Sequence, residues 1–255
     1  MNDFFEILIS NLRAVLTCAF FYFRKLAPNL YAYRSRFATS CGQTALLFII
    51  PGFISFFIGM LFGVILTVSR EDGIRPNRVL FRIIDILINI FRSIPFVILL
   101  IFLIPFTRAI VGTSIGVKGA IIPLVFGCVP FFTRQVETVL VNIDKGKIEA
   151  ARSMGSGVID IIFRVYIHEA VPELIRVTTI TAISLIGLTT MAGAVGAGGI
   201  GSFAINYGQG QHHQDIVNVC VIVLLITVTI IQAVGALLAK KTTNRALFLK
   251  THRKN

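Results

Sequence analysis

The sequence predicts an all-α polytopic membrane protein with about five transmembrane helices. Three observations carry this. Of 255 residues 55% are hydrophobic and 14% charged, where a soluble domain carries about 25% charged residues. Uncharged runs exceed the ~18 residues that a helix needs to cross a bilayer. The basic residues fall between those runs. In lipid, backbone N–H and C=O groups find no water, so segments of this length are expected to be helices.

Taken in order, residues 1–38 form an N-terminal extension. Phe4 to Phe23 is rich in Phe, Leu and Ile but carries Glu6, Asn11 and Arg13, which suits either an interfacial helix or an extra span. It does not read as a cleavable signal, because its basic residues follow the apolar run. A transmembrane domain is expected over 39–240, with spans near 43–68, 87–106, 119–140, 177–196 and 216–238, followed by a basic tail at 241–255. The first, fourth and fifth spans are uncharged. The second contains Arg92 and the third Arg134 and Glu137, near their ends, where long side chains can snorkel to the interface. Pro51, Pro95, Pro105, Pro123 and Pro130 fall inside spans, which membrane helices tolerate when neighbouring groups satisfy the freed carbonyls.

Charge placement gives the orientation. Arg70, Arg75, Arg78 and Arg82 follow span one, Arg134, Lys145, Lys147, Arg152, Arg164 and Arg176 lie in or border the loop after span three, and Lys240 to Lys254 follow span five. The opposite loops hold only Arg108 and Lys118, so the first set is expected in the cytoplasm. The flank Arg24, Lys25, Arg34 and Arg36 then lies outside, against the rule. The net charge of +12 is spread over loops and forms no single stripe, which argues against nucleic acid as a partner.

Other patterns have plain readings. Cys18, Cys41, Cys128 and Cys220 show no metal spacing and read as buried free thiols. His212 and His213 sit in a polar outer loop and read as solvated. Gly196, Gly198 and Gly201 spell GxGxxG, but a long apolar span precedes them and a polar loop follows. That is the wrong context for a dinucleotide site. Ala192 with Gly196 and Ala194 with Gly198 instead suit close helix packing or a bend in the pore wall.

The segment from Asn142 to Arg176 is longer than a connection requires, and long loops usually carry function. Ile148 to Met154 reads as a short helix closed by Gly155. Val158, Ile161, Ile162, Val165 and Tyr166 recur at helical spacing and predict an amphipathic helix on the membrane face, with Pro172 opening span four. Periodicity alone leaves a plain interfacial linker open. A surface helix with exposed small residues would let another protein approach its backbone.

"EAARSMG" at Glu149 to Gly155 resembles the EAA loop of the permease subunits of ATP-binding-cassette (ABC) importers. "NIFRSIPFVILLIFLIPFTRAIVGTSIG" at Asn89 to Gly116 and "TTMAGAVGAGGIG" at Thr189 to Gly201 are similar to the methionine-importer branch of that family, and the resemblance covers about residues 40–238. It implies a type I importer permease fold in a bacterial cytoplasmic membrane, working as a homodimer. It also implies a coupling helix in which Glu149, Ala150, Ala151 and Gly155 dock on an ATPase subunit, and a translocation gate at Met191. Two copies of the ATPase and an extracytoplasmic binding protein are the implied partners, with methionine as substrate. The chain itself is then no enzyme and binds no cofactor; it has no GxxxxGK[ST] loop, so the partner subunit binds the ATP. Two departures stand out: Asp144 and His168 replace prolines of the family pattern, and Ile167 replaces a leucine.

Two other classes are weighed. An ion-coupled secondary transporter would place an ionisable group mid-membrane, whereas Arg92, Arg134 and Glu137 lie toward span ends. An intramembrane enzyme would need a nucleophile with a base, or a metal pair, and no such constellation is present in the pattern.

Overall fold

The computed structural model describes residues 28–252, and among these the secondary structure is helical, without strands. In order come α1 (Pro28–Ala32), α2 (Arg34–Ser69), α3 (Arg78–Ser93), α4 (Phe96–Phe102), α5 (Ile104–Val111), α6 (Gly116–Val141) and α7 (Lys145–Ser153). Then follow α8 (Val158–Ala197), α9 (Gly199–Phe203, prolonged by wide turns over Ala204–Gln209) and α10 (Gln214–His252). Four of them, α2, α6, α8 and α10, are long and apolar enough to cross a membrane; α3 and α4, joined at a bend of 105°, count together as a fifth, broken span.

Helix α6 is the centre of the bundle, packed by α2, α3, α4, α5 and α8. Its closest neighbour is α2, whose buried residues Ser55, Gly59 and Gly63 repeat every fourth position. A Cβ on Gly59 would lie 2.7 Å from Phe132 and one on Gly63 2.5 Å from Val136. In lipid, where apolar burial drives little association, such close backbone approach is a main source of helix adhesion. The sequence reading placed its small-residue packing at Ala192/Gly196 and Ala194/Gly198 and missed this stripe; Ala194 and Gly196 are exposed.

The two ends of the bundle are distinct. At one, the α2–α3 loop meets α7, with Lys145 Nζ 2.9 Å from Asp72. At the other, α1 meets the start of α10. There Asp215 accepts from the Asn29 N–H and Nδ2 at 3.1 Å each, and the Tyr33 hydroxyl donates to Gln211 at 2.9 Å. Here also Arg36 donates to the Tyr207 hydroxyl at 2.5 Å, its guanidinium 5.2 Å from that ring's centroid. A basic residue against the positive-inside pattern is thus held by an aromatic pair. Residues 28–38 of the expected N-terminal extension are mostly helical, α2 beginning at Arg34 and not near 43; the readings of residues 1–27, Cys18 among them, lie outside the described residues.

Four expectations need correction. The amphipathic segment Val158–Tyr166 is not a separate surface helix, and Pro172 does not open span four: one helix runs from Val158 to Ala197 with Pro172 inside it. The reason is a π-type turn at Ile162–Ile167. Its extra residue puts Ile161 in line with Tyr166, Ala170, Leu174 and Val177, and all five bury against Phe132, Val136 and Leu140. Second, span two is not straight over 87–106, because the chain turns at Ser93–Pro95, where proline forces its predecessor Ile94 into an extended conformation. Third, Arg134 and Glu137 do not snorkel; they are ion-paired inside the bundle, as described below. Fourth, the outer loop after span four is largely helical, formed by α9 and its wide turns.

Candidate functional site

The surface helix α7 is fixed at both ends by its own sequence. Asp144 caps it, Oδ1 accepting from the Gly146 N–H at 2.9 Å, so the residue that departs from the family's proline supplies an alternative start. At the other end Gly155 has φ +79°, the Gly155 N–H bonds the Arg152 carbonyl at 2.9 Å and the Ser156 N–H bonds the Ala151 carbonyl at 3.1 Å. This is a Schellman closure, which requires a residue tolerant of the left-handed conformation.

Four contacts seat α7 on the bundle. Ala151 is buried in the cluster of Leu140, Ile161 and Tyr166. Lys145 pairs with Asp72, Lys147 with Glu169 at 2.5 Å, and Arg152 Nη2 donates to the Ile74 carbonyl at 2.5 Å. The Lys145 hydrogen bond holds the Asp72 carboxyl below the usual aspartate range, helped by its own backbone amide and Arg70 against partial desolvation. The outward face is formed by Glu149, Ala150 and Gly155, with Met154 79%, Ile159 71% and Phe163 63% exposed around it. Of the four coupling-helix residues, Ala151 therefore faces inward, and the other three are presented. His168, the second departure from the family pattern, is exposed on α8, whose helix runs through it without a break.

Along α8, Ile180, Ser184, Gly187, Met191, Ala194 and Val195 are exposed and share one helical face. Met191 is 51% exposed at its middle. Just beyond, the chain turns through Gly196, Gly198 and Gly199, at φ +93°, +84° and +79°. The turn is tight enough that a Cβ on Gly193 would lie 2.7 Å from the Ser202 nitrogen and one on Gly201 2.5 Å from the Thr190 carbonyl oxygen. Two side chains of α2 receive the unpaired amides that open α9: Gln43 Oε1 accepts from Gly199 and Thr44 Oγ1 from Ile200, both at 2.8 Å. The glycine pattern is thus a bend closed by α2. Among the described residues no group of three His, Cys, Asp or Glu could hold a metal ion. Cys128 and Cys220 are buried and Cys41 half-buried, all three free thiols.

A polar group between α3 and α6 was missed by the sequence reading. Arg134 pairs with Asp85 across the two helices, donates to Asn89 Oδ1 at 2.9 Å, and pairs with Glu137 at 2.6 Å. Glu137 is 8% exposed. The signal was present: Arg78, Arg82, Asp85, Asn89 and Arg92 occupy one face of α3. The α3 residues Val79, Ile83, Ile86, Leu87 and Ile90 face outward. Asp85 turns to Arg134 of α6, while Arg78, Arg82, Asn89 and Arg92 stay exposed beside this apolar surface, so α3 is an amphipathic helix suited to a membrane face.

These features define a multi-pass membrane protein with a short surface helix seated at one end and a glycine-closed bend at the other. The chain belongs to the family of binding-protein-dependent transport system inner membrane components, whose model matches residues 55–244. It is 39% identical to the probable D-methionine transport system permease protein MetI of Vibrio cholerae, over 81% of this chain and 92% of that one. It is 44% identical to the methionine import system permease protein MetP of Bacillus subtilis, over 68% and 78%. Its fold matches an inward-facing structure of the MetNI methionine ABC transporter with a TM-score of 0.80 and 41% identity, over 83% of this chain and 98% of that one. An amino acid ABC transporter at 14% identity shares the fold, with a TM-score of 0.69. The chain is accordingly a component of a transporter.

Proposed function

We propose that this chain is the membrane-spanning subunit of an ATP-driven importer that carries methionine inward across a bacterial cytoplasmic membrane. Two copies form the pathway, with the exposed face of α8 and Met191 turned toward each other. Two cytoplasmic ATPase subunits, which bind the ATP, grip α7 through Glu149, Ala150 and Gly155. A binding protein delivers substrate at the end formed by α1, α9 and the start of α10. Methionine is supported by the activities named for the relatives, and a cytoplasmic α7 by the basic loops gathered at its end of the bundle. The carrying observation is α7 itself, a short helix with four anchors on the bundle and an outward face of Glu149, Ala150 and Gly155 bordered by exposed apolar side chains.

The test is co-expression with the ATPase subunit. The unsubstituted chain is expected to copurify with it and, with the binding protein, to support ATP-dependent methionine uptake in vesicles. Ala150→Trp, on the exposed face and away from the Gly155 closure, is expected to insert normally yet lose both. Normal copurification and uptake by that variant would remove the docking role from α7.

A further inference from the structure

The structure offers a route by which motion of α7 reaches the interior of the bundle. Two contacts bind α7 to the α2–α3 loop: Lys145 with Asp72, and Arg152 with the Ile74 carbonyl. That loop leads directly into α3, which is capped by Asn77 accepting from the Leu80 N–H at 3.0 Å. Helix α3 is held along one side, where Ile84 and Ile88 cluster with α2 and Phe91 meets Phe126 of α6. Its outward side is apolar and exposed, and its far end breaks at the 105° bend before α4. On its inner side Ile84 and Ile88 touch Leu66 of α2, while Asp85 and Asn89 reach Arg134 of α6. Arg134 is in turn held by Glu137 of its own helix. Helix α3 thus has the form of a lever, joined through its preceding loop to α7 at one end, set off from α4 by the bend at the other, and latched at its middle by one cation shared between two carboxylates. In surroundings of low polarity such a latch favours one register strongly, because an intermediate position leaves charges unpaired.

We infer that Arg134, with Asp85 and Asn89, is a latch that couples α7 to the pathway: strokes of α7 move α3 through Asp72 and Ile74, and release and re-formation of the latch time the opening of the pathway. These are positioning residues, acting on substrate only through the helices they join. The inference rests on the importer function proposed above.

The test uses the permease reconstituted with its ATPase and binding protein in proteoliposomes, with ATP hydrolysis and methionine uptake read in the same vesicles. Asp85→Arg and Arg134→Asp are each expected to leave hydrolysis within about twofold of normal while uptake per ATP falls about tenfold, the usual scale of coupling between sites. Combining the two places one cation between two carboxylates again, and is expected to restore uptake per ATP to within about threefold of normal. The milder Asp85→Asn, which keeps an acceptor for Arg134, is expected to fall between. Single variants with an unchanged ratio of uptake to hydrolysis would overturn the latch. So would loss of hydrolysis and uptake together without rescue by the exchange, which would assign the cluster to assembly alone. If the unsubstituted complex shows no uptake, the importer function fails and the latch with it; normal unsubstituted uptake beside unaltered coupling in the variants overturns the latch only.

Discussion

Lys145 of α7 lies 2.9 Å from Asp72 of the α2–α3 loop, an ion pair joining a helix on the bundle surface to the connection between two membrane segments. Both side chains are largely open to water, so the pair steers position more than it adds stability.

The pair is expected to respond to acid. Because the folded state holds the Asp72 carboxyl below its ordinary value of 3.8, its contribution is present at neutral pH and is lost as pH falls through that lowered value. Amide hydrogen exchange over α7 is expected to be unchanged between pH 8 and pH 5 once corrected for intrinsic rate. Asp72→Asn should exchange about twofold to fivefold faster at pH 7, the effect of one exposed ion pair. Equal rates in both proteins would show that Lys145 alone does not hold the helix.

Gly155 ends α7 with a positive φ and open space around its Cα. Gly155→Ala is expected to destabilise the α7 closure by about 1 kcal/mol through backbone strain alone. Gly155→Asn, which tolerates this conformation better, should cost less. Thermal unfolding of the detergent-solubilised protein compares the two, and an alanine variant as stable as wild type would contradict the assigned conformation.

The α2–α6 contact predicts a contrast between two glycines of one helix. Gly63→Val drives a side chain into Val136 and is expected to lower folded yield severalfold, in the range of overpacked cores at about 1–3 kcal/mol. Gly42→Ala meets nothing within 4 Å and should be neutral or slightly stabilising. Size-exclusion chromatography after solubilisation distinguishes them.

Met191 tests the pairing of two copies. With Cys18, Cys41, Cys128 and Cys220 changed to Ser, Met191→Cys is expected to form a disulfide-linked dimer in membranes treated with a mild oxidant. Ile49→Cys, on α2 and more exposed than Met191, should stay monomeric on a denaturing gel. Cross-linking at Ile49 but not at Met191 would place the pathway elsewhere.

How far the sequence reached varies with the element. The spans α2, α6 and α10 were legible because lipid demands a long apolar run, a property of composition along the chain. Glu149 to Gly155 was legible because a helix closed by glycine is a local pattern, and the structure adds that Ala151 points inward. Beyond such local rules the reading failed in a consistent way. Val158–Tyr166 was separated from span four because a proline at 172 usually opens a helix, and only burial against Phe132, Val136 and Leu140 makes the helix run through it.

By itself, then, the sequence determined that this chain lives in a membrane, where its main segments cross, which short helix it carries in its longest loop and which family it resembles. Tertiary structure alone decided that Asp85 of α3 meets Arg134 of α6 from 49 positions away, and that Gln43 and Thr44 close the bend at Gly199 and Ile200. The physical reason is range: solvation by lipid and helix closure act on neighbours in the chain. Charge pairing and close backbone packing instead act between groups that only the assembled bundle brings together.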